Sequence, residues 1–171
     1  FLSGSALAAE IDTERSAITW KGSKITGDFH AGQISPKSSS IKLADGEIAS
    51  GQIVFEMSSL TVSTLTGEWK DNFLRHMKSP DFFDVAKFPT ATLTLDDFKN
   101  GQMTGKLTIK GVTQPISFSA QSVDGKYVGK TTFDRTKFGI IFGSGSFFKN
   151  LGNKLINDVV EVEFTLVLKE E

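Results

Sequence analysis

The clearest order in the chain is a period of two. From Gln52 to Met57, Ile53, Phe55 and Met57 share one face, while Gln52, Val54 and Glu56 take the other. Ala91, Leu93 and Leu95 alternate with Thr90, Thr92 and Thr94, and Leu107 and Ile109 alternate with Lys106, Thr108 and Lys110. Ile116 and Phe118 oppose Ser117 and Ser119, and Val160, Val162, Phe164, Leu166 and Leu168 oppose Glu161, Glu163 and Thr165. Successive strand side chains point to opposite sides, so each segment predicts a strand with one dry and one wet face. That is the pattern of antiparallel sheets; parallel strands, covered on both faces, read as continuous apolar runs.

Turn dipeptides separate these segments. Asp45-Gly46, Asn100-Gly101 and Asp124-Gly125 are hairpin signals, and Lys110-Gly111-Val112-Thr113 predicts another tight turn. Many short strands joined by tight turns form a meander, which a barrel or a sandwich closes. One segment departs from the pattern. Trp69, Phe73, Leu74 and Met77 recur at helical spacing between Thr66 and Ser79, with Thr66 placed to cap the start and Pro80 to end the run. This predicts one amphipathic helix over about 66–79, whose apolar stripe covers either a barrel mouth or the outside of the sheet. Ser35–Ser40, with Pro36, reads as a loop or edge interruption, and Gly143–Asn153 as a long loop.

Composition sharpens the interior. The chain has 171 residues, enough for one domain with a full core, and holds 15 Phe but only 2 Trp and 1 Tyr. Phe brings apolar area without a hydrogen-bonding group, which suits a dry interior, packed or hollow. The 19 basic and 20 acidic residues show no electrostatic footprint for nucleic acid. No cysteine is present, so thiolate chemistry and disulfides are excluded. No apolar run approaches the length of a transmembrane segment. Ser5-Ala6-Leu7-Ala8-Ala9-Glu10 has the small-residue pattern of a signal-peptide cleavage site. Residues 1–9 are therefore expected to be a signal remnant or an N-terminal arm carrying Phe1, Leu2 and Leu7. Residues 10–171 are expected to be a single domain.

Chemistry-bearing residues are sparse. His30 and His76 are the only histidines, and no metal-binding spacing links them. No metal or other cofactor is expected. His76 falls at the end of the predicted helix, where a cation is favoured. No G-x-S-x-G elbow occurs, and Gly143-Ser144-Gly145-Ser146 lacks the features of a phosphate loop. Asp134 with His30 is the one acid–base pair to inspect. Phe147 and Phe148 could serve a lid.

Three ordered motifs carry a family resemblance. His76-Met77-Lys78-Ser79-Pro80-Asp81-Phe82-Phe83-Asp84-Val85, followed by Lys87-Phe88-Pro89-Thr90-Ala91, resembles the central signature of YceI-like proteins. Gly105–Pro115 resembles their hairpin, and Phe133-Asp134-Arg135-Thr136-Lys137-Phe138-Gly139-Ile140 their Asp-Arg segment. Ile11-Asp12 and Ala17–Gly22, with Trp20, fit the first strand, so the likeness runs from about Glu10 to Leu168. Met77 stands where the family usually has Leu, and Phe88 where Tyr is common, which removes a hydroxyl.

The resemblance implies an all-β fold: an eight-stranded antiparallel, lipocalin-like barrel with one inserted helix. It implies a periplasmic or secreted protein, and it allows a homodimer. It also implies a non-enzymatic role: binding, carrying or sequestering a polyisoprenoid, an isoprenoid quinone or a fatty-acyl-like chain inside the barrel. The competing readings are a lipid-modifying enzyme and a barrel with a filled core that binds a protein partner. The inward strand positions expected to line a lumen are Trp20, Ile53, Phe55, Met57, Leu93, Leu107, Ile109, Phe118, Phe133, Phe138, Val162 and Phe164. Trp69 and Phe73 are expected to add the helix side of the pocket. Arg135 and His76 are the candidate head-group contacts, with a structural hydrogen-bonding role the favoured reading for Arg135 and helix capping for His76.

Overall fold

The alternating segments form a closed antiparallel barrel. The structure is a computed structural model and describes residues 7–170. Its strands are β1 (Leu7–Ala9), β2 (Ala17–Ser23), β3 (Phe29–Ala44), β4 (Glu47–Glu56) and β5 (Thr90–Lys99), then β6 (Gln102–Ile109), β7 (Val112–Val123), β8 (Lys126–Asp134) and β9 (Val159–Val167). One helix, α1 (Gly67–Lys78), lies between β4 and β5. From β3 to β9 each strand pairs with the next in sequence; β9 then pairs with β2, and β2 with β3. The eight strands β2–β9 thus close a ring. The short β1 lies beside the second half of β3, with Leu7 opposite Leu43. The apolar arm is described only from Leu7 onward, and Phe1 and Leu2 lie outside the described residues.

All four predicted hairpin turns are present, and both central residues of each have positive φ: Asp45-Gly46, Asn100-Gly101, Lys110-Gly111 and Asp124-Gly125. This mirror-image turn matches the twist of the strands it joins. Ser35–Ser40 corrects the loop expectation. It lies inside the sixteen-residue β3, and the register shifts between Pro36 and Ser38. A bulge there accommodates a residue without an N–H.

The barrel is filled at one end. Ile11, Ile41, Ile48, Ile53, Leu95, Met103 and Tyr127 are almost completely buried there. Tyr127 gives this apolar plug one polar bond set. Its hydroxyl donates to Glu47 Oε2 at 2.6 Å and accepts from the Ile48 N–H at 2.9 Å. Burial, reinforced by the Glu47 carboxylate, pushes the phenol pKa from 10.0 up to about 12.

The other end is crossed by the chain between β4 and α1. Thr61 N–H donates to Gln33 O and Ser63 N–H to Ala31 O, so residues 60–64 run along β3. Gly32 makes this approach possible: a Cβ there would collide with the Thr61 carbonyl. Trp20, opposite Gly32 on β2, donates its indole N–H to that same carbonyl at 3.2 Å. α1 follows this strap. Thr66 takes the N-cap position, but its side chain makes no capping bond, contrary to the sequence reading. At the other end, Ser79 Oγ donates to His76 O at 2.6 Å.

Replacing Tyr127 by Phe leaves the Ile48 N–H without its partner, at an expected cost of about 1–3 kcal/mol. Denaturant unfolding measures it; unchanged stability would refute the role given to the phenol. Because the folded pKa is raised, the phenol's pH-linked contribution is full below pH 10.0 and fades as pH climbs through about 12. The substituted protein is expected to show a flatter alkaline stability profile than the parent.

Candidate functional site

Above the filled end the barrel is hollow. A cavity of about 710 Å³ is enclosed by inward residues of all eight ring strands and by α1. That volume suits one small ligand, within the ~300–1,000 Å³ usual for such sites. The floor is aromatic: Phe118 and Phe164 meet edge to face with centroids 5.2 Å apart. Above them the wall is built by cross-strand neighbours. Ile18 lies opposite Phe164, Trp20 opposite Val162, Phe55 opposite Ala91, Leu93 opposite Leu107 and Phe133 opposite Val160.

The helix closes one side of the mouth. Phe73 lies parallel to Trp20, with centroids 6.1 Å apart and planes 10° apart, and Met77 also faces the cavity. Tight turns after α1 carry Phe82 and Phe83 to the wall, anchored by Phe82 N–H on Ser79 O and Phe83 N–H on Met77 O.

Polar groups gather at the mouth. The β2–β3 hairpin contributes Ser23, Lys24, Asp28 and His30 to the lining. His30 Nδ1 is 2.9 Å from Thr64 Oγ1, and its ring leans on Phe73 at 4.9 Å. Burial holds its pKa below the usual 6.5; Lys24 adds to the shift and Asp28 opposes it. The ring is therefore neutral at pH 7, with an aromatic face to the cavity and one nitrogen already bonded. Asn157 ties the opposite loop to this hairpin through bonds from its side-chain amide to Ser23 Oγ and Lys24 O.

Arg135 is 3% exposed and borders the cavity. Its guanidinium donates to the carbonyls of Asn157, Ile140 and Ile156 at 3.1, 2.9 and 3.0 Å. Burial lowers its pKa, while Asp158 and Asp134 work in the other direction. Asp158 accepts from Ser144 and Ser146, each at 2.6 Å. Partial burial opposes the Asp158 charge, but those two bonds and Arg135 together lower its pKa. This network fastens the loop between β8 and β9 to the barrel.

The sequence profile of the YceI-like domain matches residues 10–168. The chain belongs to the YceI-like family. A UPF0312 protein of Shewanella baltica is 28% identical over 156 residues, covering 81% of this chain and 80% of the relative. A UPF0312 protein of Shewanella sp. strain MR-4 is 27% identical over 172 residues, covering 91% and 88%. Among solved structures, BcnA of Burkholderia cenocepacia superposes with a TM-score of 0.67 at 19% identity, covering 94% of this chain and 99% of its own. A polyisoprenoid binding domain from Saccharophagus degradans, described as implicated in plant cell wall breakdown, gives a TM-score of 0.70 at 18% identity, covering 96% and 99%. These two likenesses establish the shared barrel fold.

Within this YceI-like chain, the cavity wall holds Trp20, Phe55, Met57, Phe73, Leu93, Leu107, Ile109, Phe118, Phe133, Val162 and Phe164. Three expected lining residues lie elsewhere. Ile53 is wholly buried in the plug at the filled end. Phe138 packs behind the wall, edge-on to Phe133 at 5.8 Å. Trp69 is 77% exposed, because α1 overhangs the mouth and Phe73, one turn later, is the residue that meets Trp20.

The two head-group candidates are also otherwise engaged. His76 is not on the wall; its Nε2 is 3.1 Å from Asp81, and its ring lies edge-on to Phe82 and Phe142. Arg135 holds backbone carbonyls. Asp134 accepts from Thr136 N–H and hydroxyl, while His30 is bonded to Thr64. Phe147 and Phe148 are largely exposed and do not line the cavity, so they form no lid over it.

Sequence reasoning missed Ile18, Ile34, Phe82, Phe83 and the polar mouth with His30. Ile18 was legible as the position two before Trp20 on the same face. The place of His30 at the mouth had no such signal, because Phe29, Ala31 and Gly32 around it show no alternation of apolar and polar positions.

Substituting Phe118 or Phe164 by Trp fills the floor, and lipid content is expected to fall more than stability. Equal lipid content in folded variants would remove these residues from the site. His30 is expected to titrate below 6.5 by NMR; a midpoint above that value would refute the desolvated mouth. Its lowered pKa makes the mouth lose stability as pH falls below 6.5.

Proposed function

We propose that this protein binds a long apolar lipid in its barrel and carries or sequesters it, in the periplasm or outside the cell. The observation that carries the reading is the 710 Å³ cavity, aromatic at its floor, aliphatic and aromatic along its wall, and polar at its mouth. A flexible chain in such a tube gains about 0.8 kcal/mol for each CH₂ removed from water. No reactive group is needed for that. A polyisoprenoid, an isoprenoid quinone or a fatty-acyl-like chain meets this description, with the polar head beside Ser23, Lys24, Asp28 and His30. The polyisoprenoid binding named for the Saccharophagus degradans structure supports the first of these.

The way the nearby acids and bases are engaged supports binding over turnover. Asp134 and Asp158 serve the loop, Arg135 holds carbonyls and His30 is bonded to Thr64. The filled-core alternative conflicts with the hollow above Phe118 and Phe164.

Organic extraction of purified protein, followed by mass spectrometry, is the direct test. About one prenyl or acyl lipid per chain is expected, as suits a single pocket of this size. A protein that carries no lipid, and takes up none when offered polyprenol, quinone or fatty acid, would overturn the proposal.

A further inference from the structure

The charge of this chain is nearly balanced overall but uneven in space. The mouth is built by three segments: the β2–β3 hairpin, α1 with the turn after it, and the loop between β8 and β9. Residues 21–30, 66–81 and 141–157 together hold seven Lys or Arg against four Asp or Glu. The rest of the chain holds twelve against sixteen. The positive excess is thus concentrated at the open end, where the basic residues are Lys21, Lys24, Lys70, Arg75, Lys78, Lys149 and Lys154.

The same segments display large apolar side chains to solvent. Trp69 stands on the overhanging turn of α1, and Ile25, on the hairpin, is 60% exposed. Phe29 is about half exposed beside it, and Phe147, 56% exposed, projects with Phe148 from the loop. These groups belong to one end of the molecule. Ile25 N–H bonds Leu155 O, Lys24 pairs with Ile156, and Phe142 of the loop packs on His76 of α1. Lys24, Phe29 and Ile156 of this end also line the apolar cavity.

Aromatic side chains interspersed with lysines match a lipid interface: the rings enter the headgroup region while the ammonium groups meet anionic headgroups. We propose that the open end of the barrel docks on bilayers containing anionic lipid, with Trp69, Ile25, Phe147 and Phe148 inserted and the lysines seated on the headgroups. The proposal rests on the carrier reading, since docking in this pose sets the cavity entrance against the membrane and lets an apolar chain pass without crossing water.

Flotation with phosphatidylcholine vesicles, with and without phosphatidylglycerol, tests it. Binding to the anionic vesicles is expected to exceed binding to neutral ones by roughly tenfold and to weaken with added salt. In a Trp20→Phe background, Trp69 emission should shift to the blue on binding. The triple substitution Trp69→Ser, Phe147→Ser, Phe148→Ser lies on exposed positions and should abolish flotation while leaving extracted lipid unchanged. Absence of flotation, flotation indifferent to the triple substitution, or Trp69 emission that does not shift on binding in the Trp20→Phe background, would overturn the docking proposal. A protein that carries and accepts no lipid yet floats in this manner would instead sink the carrier reading alone, because the two assays are read separately.

Discussion

Closure of the sheet through β3 is the constraint on which everything else in this molecule rests. β3 pairs with β4 along one side and with β2 on the other, so the ring has no free edge. Once the ring is closed, every inward side chain faces the same small volume. An eight-stranded barrel is just wide enough for its side chains to fill it or to leave room for one ligand. This chain does both, at opposite ends. Branched aliphatics, Met103 and the Tyr127–Glu47 pair fill one end. At the other, rings meeting edge to face form a floor and stop the filling.

The hollow end needs rigid edges, because walls that surround a cavity lack the cross-barrel side-chain packing that holds the filled end. Two devices supply them. The strap of residues 60–64 is bonded along β3, with Gly32 giving it room and the Trp20 indole fastening it. The β8–β9 loop is held by the buried Arg135 guanidinium and by Asp158 with its two serines. A charge this deeply buried is tolerated because three carbonyls and a nearby carboxylate surround it. The loop and the helix turn then lean on each other through Phe142, His76 and Phe82. Polar residues that look functional in isolation are thus the scaffold of a site whose binding surface is hydrocarbon.

Alternation and turn chemistry determined the strands, the four mirror-image hairpins and the helix position, because those signals are local: a period of two, a pair of residues with positive φ, and an apolar spacing of three to four. They also identified most of the cavity wall, since one face of each strand must turn inward wherever the sheet closes. Only the tertiary structure decided how far along the barrel each inward residue lies, and so whether it plugs or lines. Ile53 and Leu93 face each other across a strand pair, yet one is in the plug and the other reaches the cavity. The helix stripe named Trp69 and Phe73 alike, but only the placement of α1 over the mouth separated the residue that packs on Trp20 from the one left in solvent. The roles of Arg135, His30 and Tyr127 depend on partners 5 to 80 positions away in sequence. Depth within a barrel is a property of strand register, and long-range polar pairing is a property of closure. Neither is written in any short window of the chain.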